Sequence, residues 1–103
     1  MIDLKQLQAK IYKNKVAKGF NTTDVYMEFC YTYEELAEAC DAYRKKKPDL
    51  GEELADVVIY ILGLAEILGI DLEKELLNKI DINEKRKYIQ ENGINKRIDT
   101  DSK

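Results

Sequence analysis

The apolar stretch from Leu54 to Leu68 constrains the fold of this chain more than any other feature of its sequence. Almost every position in it is aliphatic or small, and Asp56 is the acid near its start. A helix that is apolar on nearly every side is normally buried on all of them. An ionised carboxylate in such surroundings is costly unless something compensates its charge. Asp56 therefore predicts an ion pair or a metal site.

Composition narrows the classes of protein that fit. A chain of 103 residues, 45% of them apolar, is typical of one domain with a core. Two cysteines do not make a disulfide scaffold, so we expect a reduced cytoplasmic protein. The apolar stretch is too short and interrupted to span a membrane. A net charge of −3 argues against a nucleic-acid polymer as partner. Without histidine, the usual zinc and di-iron ligand sets are missing.

Helix signals divide the chain into four segments. We expect helices over roughly residues 3–18, 24–46, 50–68 and 71–90. The expected end signals are Gly19, Gly69 and Asn92 with Gly93 as stops, and Thr22 or Thr23 and Asp49 as N-caps. Short loops favour antiparallel neighbours. The sequence therefore predicts an all-α fold, a four-helix antiparallel bundle in one domain over residues 1–92, followed by a polar tail over residues 93–103.

The second predicted helix carries acids beside its apolar stripe. At about 100° per residue, that stripe comprises Val25, Phe29, Leu36, Cys40 and Tyr43. Glu35 and Glu38, three residues apart, lie along its flank and border the interior. Glu34 points away from the interior.

The third predicted helix repeats this arrangement with Glu53 and Asp56. If the two helices pack together, four carboxylates converge, and their repulsion opposes ionisation. Magnesium and manganese prefer oxygen ligands and relieve such repulsion. We therefore expect Glu35, Glu38, Glu53 and Asp56 to form a metal site. Each acid alone also fits an ordinary solvated role, and Glu53 lies in a first turn, where the helix dipole favours acids.

The fourth predicted helix adds cations and an amide. Lys79, Asn83 and Arg86 fall on one stripe at spacings of four and three. Beside a cluster of acids, these side chains suit a bridging polyphosphate that meets the metal on one side and the cations on the other. The alternative is that they pair directly with Glu35 or Glu53 as structural salt bridges, or reach solvent.

These three elements together resemble the MazG-like family of all-α nucleoside triphosphate pyrophosphohydrolases. The matching motifs are E-E-x-x-E at Glu34, Glu35 and Glu38, E-x-x-D at Glu53 and Asp56, and K-x-x-x-N-x-x-R at Lys79, Asn83 and Arg86. The first motif alone is weak, since helices are rich in glutamate. All three in order, with the apolar helix between them, are specific, and the likeness covers roughly residues 28–88.

The resemblance implies magnesium-dependent hydrolysis of a nucleoside triphosphate between the α and β phosphates. It implies that the four predicted acids bind the metal and that Lys79 and Asn83, with Arg86, hold phosphates. One carboxylate not fully committed to the metal would accept the proton of the attacking water, and Glu35 and Glu38 are the candidates. Tyr31 shares the face of Glu35 and is a candidate for stacking on a base.

Self-association is a further expectation. Four helices do not easily cover a third helix that is apolar all round, and the family is usually oligomeric, so we expect a homodimer or a tetramer. The competing interpretation is a non-catalytic helical interaction protein that retains the fold. A redox-metal bundle is disfavoured by the missing histidines.

Overall fold

The computed structural model describes residues 1–98. Its elements are α1 (Leu4–Ala17), α2 (Val25–Arg44), α3 (Leu50–Ile67), α4 (Leu72–Lys85), β1 (Lys87–Glu91) and β2 (Ile94–Ile98). The four predicted helices are confirmed, and the first three lie within two residues of their expected ends. The two short strands were not predicted.

Capping explains where the helices begin and end. The Asp24 carboxylate accepts a hydrogen bond from the Met27 backbone N–H at 3.1 Å, so Asp24 caps α2 in place of the expected threonines. Asp49 is the N-cap residue of α3, as expected, but its side chain makes no capping bond. Gly19 and Gly69 follow α1 and α3 with φ of +71° and +69°, which glycine adopts without strain.

The fourth helix is shorter than predicted. It ends at Lys85, and β1 and β2 pair antiparallel with Glu91 opposite Ile94. Asn92 and Gly93, which we expected to stop a helix, form the turn of this hairpin with φ of +53° and +77°. Asn-Gly is a strong signal for a two-residue hairpin turn, and it outweighed the helical pattern. Of the predicted polar tail, residues 99–103 lie outside the described residues.

The chain forms two compact units, which divide after Leu72. In the first unit α3 packs against α1 and against α2. The buried apolar residues are Ala39, Ala42, Val57, Leu62, Leu64 and Ala65. The second unit contains the rest of α4 and the hairpin. The placing of α4 in a four-helix bundle, and the single domain over residues 1–92, stay predictions.

The inward face of α2 is not the one that the apolar stripe predicted. Phe29, Leu36 and Tyr43 are 44%, 53% and 72% exposed. Ala39 and Ala42 lie inward instead, because small side chains let α3 approach closely. The bulky stripe therefore forms an apolar surface of the first unit.

The third helix is also less covered than predicted. Leu54 and Val58 are 50% and 52% exposed, and Ile59 and Ile61 are exposed as well. Asp56 is exposed, so it does not lie in the buried surroundings that the sequence indicated. Asp56 and Val58 are two residues apart and thus on roughly opposite faces of α3. Within residues 1–98, no helix is long and apolar enough to cross a membrane.

Candidate active site

The candidate site lies along the antiparallel contact between α2 and α3. Tyr31 and Tyr60 meet there edge to face, with ring centroids 6.2 Å apart. Stepping by four and three residues along both helices from this contact gives a ladder of facing positions. Its rungs pair Glu38 with Glu53, Glu35 with Asp56, Tyr31 with Tyr60, and Glu28 with Gly63. The four acids predicted as metal ligands thus occupy two adjacent rungs.

The acids that face one another on these rungs change the pKa of Glu35. Burial, a hydrogen bond with the Glu38 carboxyl group, and the negative charge of Glu38, Asp56 and Glu53 raise its pKa from 4.5 to about 7. Glu35 therefore lies within electrostatic range of the other three carboxylates. A cation at this place would stabilise their ionised forms.

Glu53 is affected in the same direction. Its pKa is raised, first by burial and then by the charges of Asp49, Glu38 and Asp56, while Lys47 opposes the shift. A groove of about 490 Å³ opens beside Glu38 and Glu53, and Lys47 and Asp41 also line it. This end of the ladder is therefore charged and open to water. The sequence interpretation had assigned no role to Asp41 or Lys47.

The donor set fits a hard divalent cation. All four side chains offer carboxylate oxygens, Glu38 and Asp56 are exposed, and Glu35 and Glu53 are half-buried. Within residues 1–98, however, no group of three or more carboxylate or thiol side chains is gathered tightly enough to hold a metal ion as it stands. The mutual charge effects on Glu35 and the absence of a ready cage point in different directions. Like-charged carboxylates on flexible stems repel one another without a cation, and a cation would draw them together. The ligand assignment stays a prediction.

The opposite end of the ladder holds an ion pair that sequence reasoning missed. Lys15 Nζ lies 2.6 Å from Glu28 Oε1, and Glu28 Oε2 accepts a hydrogen bond from Asn21 Nδ2 at 2.9 Å. Lys15 is 7% exposed and Glu28 1%. The apolar residues of α1, such as Leu7 and Ile11, predicted its inward face, and no charged residue was expected among them. The spacing of four from Ile11 to Lys15 was the available signal.

The predicted phosphate-binding residues lie in the second unit. Arg86 Nη1 donates a hydrogen bond to Asn83 Oδ1 at 3.2 Å, which brings these two side chains together at the end of α4. Lys79 and Asn83 are exposed, and Arg86 is half-buried. Both interpretations of this stripe, phosphate binding and structural salt bridges, stay predictions. The same holds for Tyr31 as a base-stacking residue.

The helical fold and the facing carboxylates place this chain in the class of helical proteins whose carboxylate oxygens suit a hard divalent cation. Within that class, the model of the MazG-like family matches residues 30–100, and the chain belongs to this family. The resemblance seen in the sequence motifs is thereby confirmed.

A solved structure is also similar to this chain. It is the cyanophage S-2L MazG-like pyrophosphohydrolase, bound to dGDP and three catalytic Mn²⁺ ions per active site. The two chains are 26% identical, with a TM-score of 0.73, over 96% of this chain and 100% of that one. A comparison with curated protein sequences finds no match.

Proposed function

We propose that this protein is a divalent-metal-dependent nucleotide pyrophosphohydrolase that converts a nucleoside triphosphate into the monophosphate and pyrophosphate. The observation that carries the proposal is the pair of acidic rungs on α2 and α3, with the pKa of Glu35 raised to about 7 by its neighbours. Membership of the MazG-like family and the likeness to a pyrophosphohydrolase support a nucleotide pyrophosphohydrolase activity in general. The cleaved bond and the triphosphate substrate are the finer part of the proposal.

Glu35, Glu38, Glu53 and Asp56 would hold the metal. When bound, a divalent cation would neutralise polyphosphate charge and activate water for attack on phosphorus. Magnesium is our first choice, and manganese is supported by the ions in the cyanophage structure. The negative charge of these carboxylates stays concentrated at one place, because α2 and α3, which carry them, are held by their buried faces.

Glu35 and Glu38 are the candidates for accepting the proton of the attacking water. Their carboxyl groups share a hydrogen bond, and a pKa of about 7 lets Glu35 take up and release a proton near neutral pH. No histidine is needed for this step. In the second unit, Lys79, Asn83 and Arg86 would bind the phosphates, as their cationic and amide groups suit phosphate oxygens.

We also propose that the protein is a homodimer or a tetramer and acts in the cytoplasm. A groove of about 680 Å³ between α1 and α3 is lined largely by apolar side chains, with Leu7, Ile11, Phe20 and Val58 among them. A second copy would cover it and the exposed side of α3. The cytoplasmic assignment rests on the low cysteine count, because two cysteines do not make a disulfide scaffold. A stable monomer at micromolar concentration in light scattering would contradict the oligomer.

The activity is tested by a screen of ribo- and deoxyribonucleoside triphosphates with pyrophosphate detection. We expect release of pyrophosphate and the monophosphate with Mg²⁺ or Mn²⁺ and none in a chelator. Glu53→Gln should abolish it, while Glu52→Gln, its exposed neighbour in the same first turn, should not. Metal-loaded protein that releases no pyrophosphate from any nucleotide would favour the alternative, a helical interaction protein without catalysis.

A further inference from the structure

Lys15 contacts the tyrosine rung as well as Glu28. Its Nζ lies 5.1 Å from the centroid of the Tyr60 ring, within the range of a cation–π interaction. Tyr31 packs against the same ring, with the two planes inclined at 63°. Tyr60 is therefore held between a buried ammonium group and a second aromatic ring, and its orientation depends on both.

Gly63 explains how a side chain from α1 reaches this position. A Cβ atom at Gly63 would lie 3.3 Å from Ile11 Cγ2 and 3.4 Å from Lys15 Cδ. Because glycine lacks that atom, α1 lies close to α3, and the stem of Lys15 crosses the space facing Glu28. Glycine inside a helix lowers its stability relative to alanine. Its presence here is explained by the room that it leaves for Lys15.

A gain in stability does not by itself explain why Lys15 and Glu28 form a buried ion pair. Apolar side chains of similar size often stabilise a core as well as a buried ion pair does, because desolvation offsets most of the attraction. A buried pair does restrict its neighbours to one arrangement: Asn21 donates a hydrogen bond to Glu28, and Glu28 holds Lys15 in place. What Lys15 restricts is the ring of Tyr60, which lies one helical turn beyond Asp56.

The surfaces on the two sides of the acidic rungs differ in chemistry. On the side of Glu38 and Glu53, the groove with Lys47 is charged and wet, as suits phosphate groups. On the other side stand the two tyrosine rings, which suit the apolar faces of a base and sugar. A nucleotide held by its phosphates at the acids would thus direct its nucleoside toward the tyrosines.

We propose that Lys15 is a positioning residue that, paired with Glu28, holds Tyr60 as the wall of the subsite for the nucleoside part of the substrate. The proposal rests on the proposed function, since it needs the acids to engage the phosphates. Lys15 itself touches no reacting atom and acts through the ring of Tyr60.

The decisive variant is the double substitution Lys15→Met with Glu28→Gln, which removes both charges and keeps the volumes similar. Removing Lys15 alone would leave Glu28 buried and unpaired, and the fold itself would suffer. Binding is measured by calorimetry with Mn²⁺ and two kinds of probe. One kind is the four common deoxynucleoside diphosphates, and the other is inorganic tripolyphosphate, which lacks a nucleoside.

We expect the double variant to melt close to wild type and to bind its preferred deoxynucleoside diphosphate about tenfold more weakly. Tripolyphosphate should bind both proteins equally. With a triphosphate substrate, KM should rise by a similar factor while kcat changes little. Lys13→Met, an exposed lysine on the same helix, is the matched control and should bind like wild type. Lys15 and Tyr60 also line the groove between α1 and α3 that a second copy would cover, so light scattering should give the same oligomer for every variant, and a changed oligomer would overturn the proposal.

Substitutions of Tyr60 separate its ring from its hydroxyl group. Tyr60→Phe keeps the ring and should bind nearly like wild type, whereas Tyr60→Leu should lose about as much as the double variant. Combining Tyr60→Leu with the double variant should add little, because both remove the same contact. A Tyr60→Phe variant as weak as Tyr60→Leu would overturn the proposal, since the hydroxyl group would then matter and not the held ring.

Three further results would overturn it. The double variant could bind nucleotide and tripolyphosphate like wild type, which would make the pair purely structural. It could weaken both probes equally, which would place its effect at the phosphates. Wild type could bind tripolyphosphate but no diphosphate, which would leave no nucleoside subsite. Wild type that binds diphosphates but hydrolyses no triphosphate would refute the proposed function while leaving this test valid.

Discussion

Two glutamates on the inward face of α2 have opposite surroundings. Glu28 is buried, bonded to Lys15 at 2.6 Å and to Asn21 at 2.9 Å. Glu35, two turns along the same helix, has other acids as its charged neighbours, and its pKa is raised to about 7. One helix face thus carries a carboxylate whose charge is fully compensated and a group of carboxylates whose charges are not.

The difference separates a carboxylate that is held in an ion pair from carboxylates that are open to a cation, along one contact between two helices. A compensated carboxylate makes its interactions within the fold and has none left for a ligand. Clustered carboxylates destabilise one another, and such uncompensated charge is common where proteins bind cations or do chemistry. Removing a single acid should therefore mainly lower activity at the acidic rungs, whereas removing one partner of the ion pair should mainly lower stability at the other end.

The largest expected effect is on activity at the acidic rungs. Glu38→Gln removes a charge that the proposed metal site and the proposed proton transfer both need, so kcat/KM should fall by about 10³-fold or more. Its melting temperature in chelator should stay close to that of wild type, because Glu38 is exposed. Steady-state kinetics and thermal melts check both statements. Full activity in this variant would remove Glu38 from the site.

The next effect is on stability at the paired end. Glu28→Ala leaves the Lys15 ammonium buried without its partner, which should lower the free energy of unfolding by about 3–5 kcal/mol. Urea unfolding in chelator measures the loss. Glu38→Ala on the same helix is the control and should change stability little. Equal losses from both substitutions would mean that the two ends do not differ as described.

The pH dependence of stability should come mainly from the acidic rungs. Glu35 has a folded-state pKa of about 7 against an ordinary 4.5, so the folded protein binds the extra proton between these values. Stability in chelator should be greatest below about pH 4.5 for this group and should fall as pH rises toward 7. Because Glu35 is half-buried, solvent screening reduces the effect, and we expect a decrease of about 2–5 °C in Tm.

The absence of histidine makes this measurement clean, since few other side chains titrate between pH 5 and 8. Glu35→Gln should flatten the dependence of Tm on pH. A Tm that rises from pH 5 to pH 7.5, or a slope unchanged in the variant, would contradict the assignment to Glu35.

The smallest expected effect is a difference in stability between variants of two N-cap residues. Asp24→Ala removes the capping bond to Met27 N–H and should cost about 1 kcal/mol of stability. Asp49→Ala should cost less, because Asp49 makes no capping bond, its Oδ1 is buried without a hydrogen-bond partner, and its charge disfavours ionised Glu53. Denaturant unfolding of the two variants should rank them in this order. The reverse order would show that helix α3 depends on its cap more than the geometry indicates.

Much of the fold could be predicted from local signals. Gly19 and Gly69 end helices through a backbone conformation that acts within a few residues, and Asp49 lies at the N-cap position where it was expected, although without a capping bond. The hairpin was missed because the helical pattern was continued to Gln90 and Asn92 and Gly93 were interpreted as a helix stop, although this dipeptide is also a signal for a hairpin turn.

The faces of the helices depended on tertiary packing, which local patterns do not contain. The bulky residues of α2 were expected inward, yet Ala39 and Ala42 face α3 because close approach favours small side chains. Lys15 lies inward because Gly63 leaves room on another helix and Glu28 supplies the opposite charge. The proximity of Glu35 to the other acids was easier to predict, since spacings of three on two helices place carboxylates on one face of each, and their role as metal ligands stays a prediction.

The central claim is that the acids of α2 and α3 form one divalent-cation site, and Asp56→Asn tests it most directly. Thermal melts of wild type and variant are recorded in chelator and with Mn²⁺. Because the substitution removes one of several repelling charges, the variant in chelator should melt at or slightly above wild type. Mn²⁺ should raise the Tm of wild type by mass action and leave the variant nearly unchanged. A variant that melts well below wild type in chelator, and that Mn²⁺ stabilises as much as wild type, would show that Asp56 serves the fold and not a metal site.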